Sequence, residues 1–415
     1  MTRARPHRGP RAARTAPARV ATPVVVTAVS LASVAVAAVA TVAVGTVAAA
    51  RLIVTPARGR DDDVRVLGVD EDAGTVTLAS DADTRLPGRY SFWFDRGRGH
   101  ARLGDVVSDD GRRVVRRLEA VTDGDLRTAR AGRIGGWVHR DPAEAGLEAR
   151  DVEVPTPLGP APAWLVPADG DDEGRWIVAV HGRGVTRAET LRAVPAARRA
   201  GWTSLLVSWR NDGEAPRSAD GRYGLGDDEW EDVEAAITWA VAHGATSVVL
   251  QGWSMGGATV LQAVTRASGR DHVVGVVLES PVVDWRETLR AQGDAMRVPG
   301  VVQRLVLGLL GSRRLVRLSG RRRPLDLDRL DLVTRADVLD VPVLLLHSDD
   351  DGFVPSGASH GLAAARPDLV RLEAWSVARH TKLWNLDPER FERVLVEWLD
   401  GLTLRPRRPS GAPAA

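Results

Sequence analysis

The residues Gly252-Trp253-Ser254-Met255-Gly256 have the types and spacing that nucleophilic chemistry needs, a G-x-S-x-G motif. The apolar run Val248-Val249-Leu250 precedes it, and the small-residue stretch Gly257-Ala258-Thr259-Val260-Leu261 follows it. Strand, sharp turn and helix in that order push a serine hydroxyl out of a sheet. Glycines two residues either side, Gly252 and Gly256, let neighbouring backbones pass where a Cβ would clash. The helix start also aims free N–H groups and a positive dipole end at developing negative charge. A serine so placed can attack a carbonyl carbon and carry the acyl group as a covalent intermediate. The structural alternative is a buried turn serine.

The elements that must hold this turn are short apolar strands alternating with helical patterns. Val152 to Pro155 and Ala161 to Val166 read as a hairpin, and Trp176 to Val180 is an apolar strand ending in His181-Gly182-Arg183-Gly184. A helix near Glu189 to Arg199, a strand Ser204 to Trp209 and a helix Asp227 to His243 follow. In the last of these Trp230, Val233, Ile237 and Val241 recur at helical spacing. Beyond the serine turn come strand Val273 to Leu278, strand Val341 to Leu346, a helix Ala358 to Ala365, strand Leu369 to Trp375 and a closing helix Pro388 to Trp398. Such alternation is the pattern of a mostly parallel sheet with helices on both faces. An insert at about 284–334 is helical and basic and reads as a cap. In it Val302, Leu305, Val306, Leu309 and Leu310 share a helical face, followed by Arg313, Arg314, Arg317, Arg321, Arg322 and Arg323.

Upstream, residues 61–140 change to alternating runs separated by turn residues, with Asp72-Ala73-Gly74 and Asp109-Asp110-Gly111 as turn signals. They predict a small antiparallel β module, with a short helix near Arg112 to Leu118, acting as a spacer or as a wall on the main domain. Residues 1–19 are basic without an acidic residue, and Val20 to Ala50 carry no charge at all. A spanning helix needs about 20 apolar residues and a signal-peptide core about 7 to 15, so residues 20–50 read as a transmembrane anchor, centred on Val24 to Val47. The basic flank then stays cytoplasmic and the rest lies outside, in the cell membrane as a single pass; cleavage near Ala48 to Ala50 and secretion is the alternative. The tail 405–415, rich in Pro and Arg, reads as disordered.

Composition excludes several classes. The chain has 415 residues, no cysteine and a formal charge of +2. Disulfides, thiol nucleophiles and Cys-ligated zinc are ruled out, and no overall field argues for nucleic acid. No His/Asp/Glu spacing resembles a metal site. Gly182-Arg183-Gly184 is not a phosphate loop either, because the following Lys-Ser/Thr is missing. No cofactor is implied.

With the serine, the glycine loop and two later polar loops in place, Asp151 to Leu402 resemble the α/β-hydrolase superfamily. His181-Gly182-Arg183-Gly184 and Gly252-Trp253-Ser254-Met255-Gly256-Gly257 look like the bacterial branch that groups with serine aminopeptidases, prolyl-oligopeptidase-like hydrolases and monoacylglycerol-lipase-like enzymes. The resemblance implies an α/β-hydrolase domain over 151–404 and the chain order nucleophile, acid, histidine. The family's acid precedes Val354-Pro355 by three residues, which is Asp351, with Asp349 and Asp350 beside it and Asp284 as an outside alternative. The family's base follows the next strand, at His380, with His360 as the rival. Met255 and Arg183 supply the oxyanion-hole N–H groups by the same resemblance, with Gly182 and Gly184 letting the loop bend, while His181 reads as structural.

The reading that follows is a membrane-anchored serine hydrolase cleaving a carboxylic ester of a small molecule or lipid, with the apolar cap roofing an acyl site. A peptidase of prolyl-oligopeptidase-like or aminopeptidase type is the enzyme alternative. Such an enzyme needs an acidic subsite for a peptide amine, for which the sequence offers only Asn211 to Glu214. A non-catalytic binding protein on the same fold is the third reading.

Overall fold

The computed structural model describes residues 1–2, 39–57, 59 and 61–402. The chain forms two units, Met1–Thr46 and Val47–Ala415. In the first, residues 39–46 are helical. The expected basic tail, most of the expected spanning segment and the expected disordered tail fall outside the described residues. Among the described residues no helix is long and apolar enough to cross a membrane.

Within the second unit, residues 47–54 are helical and bury Ala50 and Val54 in the main core, with Val47, Ala49 and Ile53 packed at its margin. The last residues of the expected anchor, 47–50, thus pack on protein.

Six strands, β1 (Val64–Asp70), β2 (Thr75–Ala79), β3 (Tyr90–Phe94), β4 (Gly99–Asp109), β5 (Arg113–Asp123) and β6 (Ala131–Gly135), close into an antiparallel barrel in the order β1-β2-β5-β4-β3-β6. Closure leaves no sheet edge unpaired. Alternate residues point inward, so Val76, Leu78, Tyr90, Phe92 and Leu103 fill the interior. The expected helix near Arg112 to Leu118 is instead β5. Asp110 turns the chain by accepting from Arg112 and Arg113 N–H, and the period of two is hidden because Arg116 occupies an inward position. Its buried guanidinium is satisfied by carbonyls of Thr84, Leu86, Gly88 and Gly104.

The remaining strands form one eight-stranded sheet. β7 (Arg150–Thr156) and β8 (Gly159–Val166) are an antiparallel hairpin at one edge, and β10 (Thr203–Val207), β9 (Arg175–Val180), β11 (Ser247–Trp253), β12 (Val273–Glu279), β13 (Val343–Ser348) and β14 (Val370–Trp375) follow in parallel. Both faces are covered, which is why these strands read as unbroken apolar runs. Val178, Val180, Val248, Leu250, Val276 and Leu278 face one core, with helices α2 (Trp230–Ala242) and α3 (Met255–Arg266). Ile177, Ala179, Val249, Val277, Leu344 and Leu346 face the other, with α1 (Val194–Arg199) and α8 (Pro388–Asp400). Each fully buried Val or Leu contributes on the order of 1.5–3 kcal/mol.

The barrel is locked to this sheet domain by Asn385, in the short helix α7 (Leu383–Leu386). Its side-chain amide donates to the carbonyls of Arg89 and Gly136, each at 2.7 Å. Gly88 at the contact has φ +100° and no room for a side chain, since a Cβ would meet the Asn385 carbonyl at 2.0 Å.

In the insert, α4 (Trp285–Ala295) and α5 (Gly300–Gly311) pack together. Val306, Leu309 and Leu310 are buried as expected, but Leu305 is 47% exposed, on the outer margin with Val301. The inward face meets the main core and residues 47–54.

Candidate active site

β11 runs straight into α3, and Ser254 sits between them at φ 51°, ψ −116°. This conformation costs a residue with a Cβ about 1–3 kcal/mol and is held by the surrounding backbone. The Ser254 N–H donates to the Glu279 carbonyl at 3.0 Å, and its carbonyl accepts from Val282 N–H at 3.1 Å. The motif glycines are steric necessities: a Cβ on Gly252 would lie 2.6 Å from the Gly256 carbonyl oxygen, and one on Gly256 would lie 2.2 Å from that of Val180. A second G-x-S-x-G, Gly357-Ala358-Ser359-His360-Gly361, shows how little the pattern means without its turn. It lies in helix α6 (Gly357–Ala365), and Ser359 is buried against His347.

The loop after β14 brings His380 to Ser254. Nε2 of the imidazole lies 2.9 Å from Ser254 Oγ, and Nδ1 lies 2.7 Å from Asp351 Oδ2. Arg379 and Thr381, on either side, both have positive φ. The loop is fixed by Thr381 N–H donating to Ser280 Oγ at 3.1 Å and by Arg192 Nη1 donating to the Thr381 carbonyl at 2.7 Å. Asp351 comes from the loop after β13. Its Oδ1 accepts from the N–H groups of Phe353 and Val354, each at 2.9 Å, and His347 Nε2 lies 3.3 Å from Oδ2. Burial pushes this carboxyl up, but the charge of His380 and hydrogen bonds from His347 and His380 outweigh it and hold the carboxyl well below the usual range. An ionised carboxylate accepts only. In the neutral imidazole that acts as base, the one ring proton is therefore placed on Nδ1 of His380, and the Nε2 lone pair faces the serine hydroxyl.

The other candidates are engaged elsewhere. Asp349 is exposed and accepts from His360 Nε2 at 2.8 Å and from Ser356 Oγ at 2.8 Å, so the rival acid and the rival histidine pair with each other. Asp350 is likewise exposed. Asp284 caps α4 by accepting from Arg286 and Glu287 N–H. His181 is buried, stacks on Trp209 and bonds Asp212. Asp212 and Glu214, the sequence's candidates for binding a peptide amine, are thereby occupied, Glu214 by Arg187.

The glycine loop lies against the nucleophile: a Cβ at Gly182 would come within 3.2 Å of Ser254 Cβ. Gly182 N–H donates to Glu189 Oε2 at 2.8 Å, and Gly184 has φ +70°. Met255, with its N–H at the start of α3, is the residue after the serine.

A cleft of about 640 Å³ opens over Ser254 and His380. No residue of the 284–334 insert lines it. It is lined by the barrel and the segment leading into it, through Asp61, Asp63, Asp81, Asp83, Arg133 and Trp137, together with Arg183, Arg379 and Lys382. Asp83 is engaged by Arg379 at 3.0 Å and Lys382 at 2.9 Å. The expectation that the cap roofs the site is thus corrected. The insert follows β12 and packs on the main core with residues 47–54, while Asn385 holds the barrel beside the histidine loop.

Sequence reasoning missed the supports beneath the site. Glu279, whose carboxyl is raised by burial, accepts from the Trp253 indole and from Leu383 N–H. Arg192, Asn385 and His347 tie the loops together across more than one element. None carries a periodic or motif signal.

A family model described as alpha/beta hydrolase fold matches residues 175–315, and one described as a domain of unknown function (DUF8805) matches residues 65–135. No curated protein matches the chain in sequence. Among solved structures, an esterase of Pyrococcus furiosus is similar at 17% identity, over 64% of this chain and 95% of that one, with TM-score 0.48. An esterase from Rhodococcus sp. is similar at 22% identity, over 61% and 99%, with TM-score 0.43. A puromycin-hydrolyzing peptidase of Mycobacterium tuberculosis is similar at 20% identity, over 81% and 47%, with TM-score 0.49.

Proposed function

For a chain that belongs to the α/β-hydrolase superfamily, we propose that it is a serine hydrolase forming an acyl-enzyme at Ser254 and cleaving a carboxylic ester of a small polar molecule. What supports the reading is the hydrogen-bonded chain from Asp351 through His380 to Ser254, at 2.7 and 2.9 Å. Ser254 Oγ attacks the carbonyl carbon as its proton passes to His380 Nε2. The oxyanion accepts from the N–H groups of Met255 and Arg183, and Asp351 stabilises the imidazolium. Collapse expels the alkoxide, which takes the proton from Nε2. Water, deprotonated by the same nitrogen, then releases the acid and restores the serine. The charged walls of the cleft favour a polar substrate over a long acyl chain.

A fluorophosphonate probe on the full-length chain tests the reading. The expected result is one covalent adduct, which peptide mapping assigns to Ser254; no adduct overturns it and leaves the non-catalytic reading, and an adduct elsewhere overturns it by assigning another nucleophile. Peptide hydrolysis is the second reading, favoured by the carboxylates of Asp61, Asp63 and Asp81 along the cleft, which suit a substrate amine. Comparable turnover of an aminoacyl anilide and of p-nitrophenyl acetate would decide for it.

The same proposal sets the enzyme in the cell membrane, held by the part of the uncharged segment that precedes Val47, with the catalytic domain outside. Beside residues 47–54 the insert exposes Met296, Val301, Leu305, Leu315 and Leu318. Arg304, Arg313, Arg314, Arg317, Arg322 and Arg323 are exposed around them, an arrangement suited to anionic lipid. Arg321 is not part of this surface, being buried against the Tyr223 carbonyl and Asp228. In anionic bilayers Met296 should oxidise at least about threefold more slowly than in detergent, and Gln at the six exposed arginines should remove that protection. Equal rates in bilayer and detergent would overturn the lipid contact.

A further inference from the structure

The helical residues 47–54 end against the glycine loop. The last carbonyls of a helix have no partner within it and attract a cation. Here the cation is the side chain of Arg183, whose Nη2 donates to the Leu52 carbonyl at 2.9 Å and to the Thr55 carbonyl at 3.2 Å. The guanidinium also lies over the Tyr223 ring, 5.5 Å from its centroid. Tyr223 N–H donates to the Val54 carbonyl at 2.8 Å, and Arg222 bonds the Thr55 hydroxyl. The helical segment is fixed in turn: Ala50 and Val54 are fully buried, and Arg51 Nε donates to the Leu318 carbonyl at 2.8 Å. Farther along, a Cβ on Gly184 would meet Ala57 Cβ at 3.4 Å, ordinary contact. The loop is thus held from one side by Glu189 on Gly182 N–H and from the other by residues 52–57 on Arg183 and Gly184.

We propose that residues 47–57, which include the last residues of the uncharged segment, are a working part of the active site, and that the Arg183 side chain is a positioning group through which they aim that residue's own N–H at the oxyanion. The inference rests on the serine-hydrolase reading above. The side chain touches no reacting atom; it transmits the docking of the helical segment to the loop. Its contribution is felt in the transition state, where charge develops on the oxygen, and little in ground-state binding. Any movement of the segment away from the domain lowers turnover.

Full-length wild type, Arg183→Met, Arg183→Lys, Leu52→Pro and Ser254→Ala are compared for kcat, KM and melting temperature with p-nitrophenyl acetate. Arg183→Met keeps the backbone N–H and removes the clamp. Its kcat should fall by about 10- to 100-fold with KM within about twofold, less than the loss of a whole oxyanion donor. Arg183→Lys should recover part of the loss, since an ammonium can still reach the carbonyls. Leu52→Pro breaks the segment from its own side at a position that is 65% exposed, and should lower kcat in the same way; it carries the test alone if Arg183→Met does not fold. Wild-type kcat in either folded variant overturns the inference, as does a change confined to KM, which would make Arg183 a substrate-binding group. If the wild type has no turnover that Ser254→Ala removes, the serine-hydrolase reading fails and this inference with it.

Discussion

Exchange of Ser254 for alanine should lower kcat/KM for an activated ester by about 10⁴- to 10⁶-fold, and His380→Ala should do about as much. The two act as one device. The hydroxyl is a poor nucleophile unless its proton leaves for Nε2, 2.9 Å away, and the imidazole has nothing to activate once Oγ is gone. The double variant should therefore be no slower than either single one, and independent losses that multiply would overturn the shared role. What remains in each variant should be the small acceleration that binding and oxyanion donors give alone. Stability should move the other way at the serine. Ser254 occupies φ 51° in a turn whose neighbours leave no room to relax. Ser254→Gly, which tolerates that φ, should melt above Ser254→Ala by the equivalent of about 0.4–1 kcal/mol.

The main sheet could be read from the sequence because each of its strands is covered on both faces. Val248-Val249-Leu250 gives one apolar residue after another, since Val248 and Leu250 enter one core and Val249 the other. Strands of the barrel are covered on one face only, so a single polar residue turned inward defeats the alternation; Arg116 did so in β5 and suggested a helix. The serine was legible from its context rather than its motif, because Ser359 has the same pattern inside α6. Asp351 and His380 followed from a family resemblance, and proximity in space separates them from Asp349 and His360, which bond each other.

The walls of the cleft were legible only as one of two roles for the β module, a spacer or a wall. Apolar residues in the insert suggested an inward roof, yet periodicity tells only that a face is buried, not against what; Val306, Leu309 and Leu310 meet the main core, where residues 47–54 also pack. The barrel reaches the cleft through Asn385 and the backbone around Gly88 and Gly136, contacts between residues some 250 to 300 positions apart. Backbone carbonyls received by one amide leave no trace in composition or spacing. The same holds for Arg183, whose side chain finds carbonyls of Leu52 and Thr55.

Replacing Asp351 by asparagine is expected to cost about 10⁴-fold in kcat at neutral pH with little loss of fold, because it changes which imidazole nitrogen carries the proton. Asp351 Oδ2 accepts from Nδ1 at 2.7 Å. An asparagine there can present its NH₂ to the same nitrogen, and Nδ1 then becomes the acceptor. The ring proton moves to Nε2, where it faces the serine hydroxyl and can take nothing from it. The imidazolium of the transition state also loses its counter-charge. Asp349→Asn and Asp350→Asn should stay within about twofold of wild type, as exposed carboxylates contribute little; a large loss in either with Asp351→Asn active would reassign the acid. The pH dependence of stability carries a second signature. The folded carboxyl of Asp351 lies well below its ordinary value, so its stabilisation is fully present above the unfolded aspartate's value of about 4 and is lost as pH falls through it towards the folded one. Chemical denaturation from pH 7 down to 3 should therefore show wild type losing stability faster than Asp351→Asn below pH about 4. Parallel curves for the two proteins would mean that the carboxylate is not held ionised by His380 and His347.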